Sequence, residues 1–305
     1  MVIKMQEIVK WIEKNNIGKI IENESLAKHT TYKVGGNAKV FVYPKNREKL
    51  ILLLKELRSK NIKYKILGNG SNTLFSDREY DGVIIKLDCF NKVTYFKNLV
   101  KAEAGVNLIK LSYQTVKKGL AGLEFATGIP GTVGGAIFMN AGAYKSDMGY
   151  VTKSIEVLTP NFEVITMTNK ELDFHYRTSF LQKHKGYICL EATFELRKND
   201  KSVLQEIVDD RKKRRIESQP LEYPSAGSVF RNPENMFAGK LIEDLGFKGY
   251  TVGGAKVSEK HANFIINHNK AKAEDIKNII EKLKKEVKEK YDVELKCEQE
   301  FVNWE

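Results

Sequence analysis

The sequence predicts an α+β protein, and three observations lead there. Short runs alternating between apolar and polar residues occupy much of residues 39–104, with helical patterns among them. A hairpin and a long strand follow as far as residue 196, and beyond residues 198–200 the pattern shifts to helices. A chain of 305 residues, 42% hydrophobic and 30% charged, is long enough to bury the cores of two or three globular domains.

The elements follow in order. The first thirty residues read as an amphipathic helix, with Ile, Val and Trp11 set among Lys, Glu and Asn, rather than as a secretion signal. Strands are expected at 39–43, 62–67, 83–87, 93–96 and 101–104, with helices at 47–60 and 108–119, the latter stopped by Gly119. Residues 155–159 and 163–167 form a hairpin around Pro160-Asn161-Phe162, and 186–196 is a long strand. A helix starts at Ser202, a loop covers 220–232, and a second helix lies at 237–245. A strand at 263–267, a charged helix at 273–291 and a strand at 293–302 complete the chain.

Composition narrows the function classes. Cys89, Cys189 and Cys297 are odd in number and about a hundred residues apart, which fits neither a disulfide framework nor a metal site and suggests a reducing cytoplasm. The five histidines have no ligand spacing, so no metal is expected. No apolar run approaches the length of a membrane span. The net charge of +12 suits anionic small molecules or nucleic acid. Its densest run, residues 211–215, lies on a helix without interleaved aromatic residues, so nucleic acid is the less favoured partner.

Two segments carry the chemistry. Residues 127–143 read TGIPGTVGGAIFMNAGA, and their five glycines compare with about one expected from 22 in 305. Gly128, Gly131, Gly134, Gly135 and Gly142, beside Pro130, suggest a loop whose backbone N–H groups turn toward one anion, as in a diphosphate cradle. The strand at 62–67 runs into Gly68-Asn69-Gly70-Ser71-Asn72, a second plausible anion nest. Neither GxxxxGK[ST] nor a complete GxGxxG is present; Thr73 stands where the third glycine would be.

Several patterns together resemble the UDP-N-acetylenolpyruvoylglucosamine reductase family. They are HTTYKVGGNAKVFVYP at 29–44, ILGNGSNTLFSD at 66–77, the glycine run, Tyr176-Arg177, SAGSVFRNP at 225–233, and Val293-x-Leu295-x-x-Glu298. The resemblance covers nearly the whole chain. It implies an FAD-binding domain of the vanillyl-alcohol-oxidase-like type in two α+β lobes, residues 1–97 and 98–199. A smaller α+β substrate-binding domain, 200–305, would follow. The segment between Arg177 and residue 200 is short for the substrate-closing loop of the family's longer form, so the chain resembles the shorter one.

The resemblance implies a tightly bound FAD that takes hydride from NADPH and delivers it to C3 of an enolpyruvyl group, in a step of peptidoglycan precursor synthesis. FAD would rest on Gly68, Asn69, Gly70, Ser71, Asn72, Gly128, Ile129, Pro130, Gly131, Gly134, Gly135, Asn140, Ala141 and Gly142. Ser228 matches the proton donor to C2, Arg177 the carboxylate-binding arginine, and Glu298 the terminal glutamate. The family usually has Val and a basic residue after that glutamate, whereas Gln299 and Glu300 stand here. Glu300 faces the same side of a strand as Glu298 and is its rival. Tyr176, Arg214, Arg215, Asn232 and Lys240 fall where substrate contacts are expected. The implied protein is a cytoplasmic monomer acting on a nucleotide sugar. A related FAD oxidase of a sugar or alcohol is the second reading, and a basic nucleic-acid-binding protein the third.

Overall fold

The N-terminal helix, Val2–Lys14, buries Met5, Ile8, Val9 and Ile12, the spacing of a single helical stripe. The structure is a computed structural model describing residues 2–305, with side chains from Met5 onward; Met1, part of the expected N-terminal helix, lies outside the described residues. The helix stops sooner than expected. Asn16 adopts a φ of 49°, and the strand Gly18–Ser25 begins where a longer helix was anticipated.

The chain divides into two compact units that interleave along the sequence. One comprises the residues up to Glu22, Val40–Gly68 and Gly82–Lys213; the other Asn23–Lys39, Asn69–Asp81 and Arg214–Glu305.

The first unit contains several of the helices and the five-stranded sheet. Helix Arg47–Ser59 is capped by Asn46, whose side chain accepts the Lys49 N–H, and buries Leu50, Leu53, Leu54 and Leu57. Helix Leu108–Lys117 is capped in the same way by Asn107 and ends before Gly119, whose φ of 70° glycine tolerates. A five-stranded antiparallel sheet runs in the order Val164–Thr168, Thr152–Leu158, Ile188–Glu195, Leu99–Glu103, Val93–Phe96. The glycine run is not wholly a loop, as the sequence suggested. Residues Val133–Met139 form a short helix against strand Ile188–Glu195, because Thr132 caps it and Val133, Ala136 and Ile137 bury its inner side.

The second unit packs helix Ala273–Tyr291 on a three-stranded sheet of Thr251–Val252, Ala255–Val257 and Ile265–Asn267. The Asp77 carboxylate accepts the Ala273 and Glu274 N–H groups, so a residue distant in sequence caps this helix. Residues 293–302 form a strand only at Glu300–Val302, paired in parallel with Thr73–Phe75. The preceding residues pair irregularly, through an isolated bridge between Phe230 and Cys297. Among the described residues no helix is long and apolar enough to cross a membrane.

Candidate active site

In the first unit the glycine run sorts into two kinds of position. A Cβ on Gly134 would lie 2.9 Å from the Cβ of Ala104, and one on Gly142 would lie 2.6 Å from the Ser146 carbonyl oxygen, so both glycines permit close internal packing. Gly131 and Gly135 differ. Gly131 is buried, yet a Cβ there would meet nothing within 4 Å; at Gly135 only the Thr132 hydroxyl lies near, at 3.4 Å. Neither has a positive φ, so neither backbone conformation nor internal packing demands glycine at these two positions. They leave bare backbone beside open space.

The expectation of successive N–H groups converging on one anion is not met at these residues. The N–H of Ile129 is donated to Ala126, that of Gly131 to Ile129, that of Gly134 to Ala104, and that of Gly135 to the Thr132 hydroxyl. A helix start packed on the sheet finds partners for its orphan donors in nearby carbonyls. The segment therefore offers a smooth face more than a ring of donors. Gly68 belongs to the same place: a Cβ on it would come within 2.8 Å of the Thr132 hydroxyl.

Asn140 ends the short helix in the left-handed conformation, at φ 41°. It is 1% exposed, and its amide donates to the His175 carbonyl at 2.9 Å and accepts from the Gly149 N–H at 2.9 Å. The protein itself thus engages both ends of an amide expected to face cofactor. Ala141 and Gly142 follow, half-buried. Ser179 and Gln182 both donate to the Phe138 carbonyl, strapping the loop that carries Tyr176 and Arg177 to the end of the helix. Arg177 has a φ of 55°, donates through Nη2 to the Gly142 carbonyl, and lies over the exposed Tyr176 ring at 5.0 Å. Gly128 and Pro130 precede this region on the half-buried-to-exposed stretch after Thr127. An open cleft of about 510 Å³ near Tyr150, Lys153 and Arg197 includes Gly149 but none of the expected site residues.

The second unit assembles the other group. Gly70 has a φ of 60°, and its carbonyl accepts from the Thr31 N–H; Asn69 and Ser71 beside it are half-buried. The Asn72 side chain donates to the Glu298 carbonyl, and the Glu300 N–H donates to the Asn72 carbonyl. Ser228 is half-buried and bridges to Phe264 on one side. On the other side, the N–H of Glu298 is donated to the carbonyl of Val229, the next residue, at 2.8 Å. The second unit thus puts Asn72, Ser228 and Glu298 on adjoining chain segments. Gln299 is buried, and Glu298 and Glu300 on either side of it are half-buried. Glu300 lies close enough to the buried Tyr80 to be the second cause, after burial, of that phenol's upward pKa shift.

Two of the remaining expected contacts have other partners within the second unit. The Asn232 side chain accepts from the Ala238 N–H, capping helix Ala238–Asp244, and Lys240 pairs with Asp244 at 2.5 Å. Arg214 is exposed and Arg215 half-buried in helix Lys201–Ser218. Sequence reasoning missed Thr132, Asn263 and Gln299. Thr132 carried a legible signal, a threonine before an apolar helical run. Asn263, whose amide pairs with both the N–H and the carbonyl of Phe230, carried none.

Comparison with known proteins decides the family. The FAD binding domain profile matches residues 38–168, and that of the UDP-N-acetylenolpyruvoylglucosamine reductase C-terminal domain matches 219–302. The UDP-N-acetylenolpyruvoylglucosamine reductase of Clostridium perfringens (strain SM101) is 46% identical over 279 residues, 92% of this chain and 91% of its own. The chain belongs to the UDP-N-acetylenolpyruvoylglucosamine reductase family. The reductase of Bacillus subtilis (strain 168) is 40% identical over 299 residues, 98% of this chain and 99% of its own. The crystal structure of the Thermus caldophilus reductase aligns with a TM-score of 0.79 at 32% identity, covering 93% of this chain and 98% of that one. Members of this reductase family are FAD-dependent oxidoreductases, and the bare faces of Gly131 and Gly135 fit a flat cofactor that a Cβ would obstruct.

Proposed function

We propose that the chain reduces the enolpyruvyl group of UDP-N-acetylglucosamine enolpyruvate to give UDP-N-acetylmuramate, with NADPH as electron donor. The observation that carries this reading is the hydrogen bond from the Glu298 N–H to the Val229 carbonyl, which joins a carboxylate-bearing segment to the serine loop. FAD, when held against the bare faces of Gly131 and Gly135, would supply the hydride-transfer chemistry between NADPH and C3 of the enolpyruvyl group.

The chain's own residues handle charge and protons. Hydride at C3 leaves negative charge at C2, delocalised into the substrate carboxylate. Arg177 pairs with that carboxylate, its delocalised fork matching the two oxygens better than a lysine would. Ser228 gives its hydroxyl proton to C2, and Glu298 orients that proton. Glu298 is preferred over Glu300 because its backbone is tied beside Ser228, whereas Glu300 lies toward Tyr80.

Arg214 and Arg215 are taken as contacts to the UDP phosphates. Asn232 and Lys240 join them only by giving up their present partners, Ala238 and Asp244. Residues 1–97 and 98–199 act as the two lobes around FAD, and 200–305 as the substrate-binding part. The enzyme works as a cytoplasmic monomer, where NADPH is available.

The test separates the two half-reactions. Ser228→Ala is expected to let NADPH bleach the flavin at the wild-type rate, while reoxidation by the enolpyruvyl nucleotide slows by about 10²–10⁴-fold. Anaerobic absorbance of the flavin reads both. Wild-type reoxidation in the variant, or equal loss of both halves, overturns the proton-donor role. A wild-type protein that binds no FAD overturns the whole reading.

A further inference from the structure

Gln299, beside the proposed carboxylate, is 4% exposed with both ends of its amide engaged. Its Oε1 accepts from the Tyr32 hydroxyl at 3.1 Å, and its Nε2 donates to the Ala226 carbonyl at 3.2 Å. Tyr32 is 0% exposed and Ala226 2%, so the relay lies wholly in the interior of the second unit. A phenol at that depth requires an acceptor, and an amide at that depth requires partners at both ends. Tyr32 is itself anchored, since the Asn267 side chain donates to its carbonyl.

The relay ends two residues before Ser228. Ala226 leads to Gly227, which has a φ of 74° and nothing within 4 Å of a would-be Cβ. The left-handed backbone there suits glycine, and the side where a Cβ would stand is open. After Ser228 the backbone is held twice, by Val229 N–H to the Asn263 carbonyl and by Glu298 N–H to the Val229 carbonyl. Before Ser228, the Ala226 carbonyl is tied to Gln299. The adjoining residue, Glu298, is the proposed carboxylate. One side chain therefore connects the entry to the serine loop with the segment that carries Glu298.

We infer that Gln299 is a positioning residue which, through the relay from Tyr32 to Ala226, sets the Ser228 hydroxyl relative to Glu298. Its kinetic consequence rests on the reduction reading above; its structural consequence does not. Tyr32 acts only through Gln299, by fixing the rotamer of the amide.

The experiment uses the FAD-loaded full chain as wild type, Tyr32→Phe, Gln299→Leu and the double variant. Two readouts are taken: anaerobic flavin kinetics, and backbone hydrogen exchange by mass spectrometry on peptides covering 225–232. Gln299→Leu is expected to slow reoxidation by the enolpyruvyl nucleotide about tenfold, with flavin reduction by NADPH within about twofold of wild type. Tyr32→Phe should slow reoxidation about threefold, and the double variant should match Gln299→Leu because the effects share one route. Exchange across 225–232 should rise about tenfold in Gln299→Leu.

Unchanged exchange and unchanged reoxidation in Gln299→Leu overturn the inference. So does an equal fall in both half-reactions, which a merely structural residue would produce. If Gln299→Leu does not fold, Tyr32→Phe decides, and wild-type reoxidation and exchange there overturn it. If wild type itself is not reoxidised by the enolpyruvyl nucleotide, the reduction reading fails, while the exchange result still decides the positioning role.

Discussion

The loop that carries Arg177 and the loop that carries Ser228 are held by different kinds of contact. Arg177 depends on two stretches of one unit: Phe138, Asn140 and Gly142, bonded across separations of 35 to 44 residues, and His175, Ser179 and Gln182 beside it. Ser228 depends on partners scattered along the chain: Tyr32, Asn72, Asn263 and the segment around Glu298. The first arrangement joins just two stretches of chain and carries a left-handed residue, Arg177, at its centre. The second brings distant segments together, so its geometry exists only when the whole second unit is folded. In the proposed mechanism, an arginine that need only reach a carboxylate can sit on the former, and a proton donor that must meet one carbon needs the stricter support of the latter.

This contrast makes the Ser228 region the more sensitive to loss of a single amide. Asn263→Ala removes the partner of both the Phe230 N–H and its carbonyl, two buried groups. A loss of about 2–4 kcal/mol is expected, read as a shifted midpoint in urea unfolding. Asn140→Gly keeps the left-handed end of the short helix but loses the bonds to His175 and Gly149. The expected loss is smaller, about 1–2 kcal/mol, because the strap through Ser179 and Gln182 survives. If Asn140→Gly proved the costlier of the two in the same urea titration, the ranking of the two supports would be reversed.

The smallest effect concerns pH, at the edge of the second unit. The hydrogen bond from His29 is the largest cause holding the Glu24 carboxyl below its ordinary value, with Lys28 adding to it against the opposing effect of burial. A carboxyl depressed in the folded state contributes stability above its unfolded pKa, about 4.5, and loses it as the pH falls through the folded value. Glu24→Gln should therefore flatten the acid limb of a thermal-midpoint profile between pH 6 and about 3 by under about 1 kcal/mol. Identical acid limbs for the two proteins would mean the pair contributes nothing.

Much of the first unit could be read residue by residue. Helix 47–60 was expected and spans Arg47–Ser59; the hairpin around Pro160 and the helix stopped at Gly119 also lie where the patterns put them. Their signals act within a turn or two of the chain: an asparagine cap, a leucine stripe, a glycine tolerant of positive φ. The glycine run was legible as unusual but not in its role. Thr132, Ala104 and Val106 claim N–H groups that the sequence left open to a ligand, and only the packed sheet supplies those partners.

The second unit was less legible. Strands Thr73–Phe75 and Glu300–Val302 are three residues each, too short for a period to show, and their parallel pairing joins opposite ends of the chain. No local pattern sends residues 23–39 and 69–81 to the C-terminal unit, because that depends on which apolar faces remain to be covered once the rest has folded.

Residue order alone indicated several caps, stripes and turns of the first unit and the family to which the motifs belong, since such signals need only neighbours along the chain. Tertiary structure decided which glycines pack and which stay bare, and which amides support Ser228. Those outcomes turn on contacts between distant segments, whose free energy is set by burial and loop closure and not by any nearby residue.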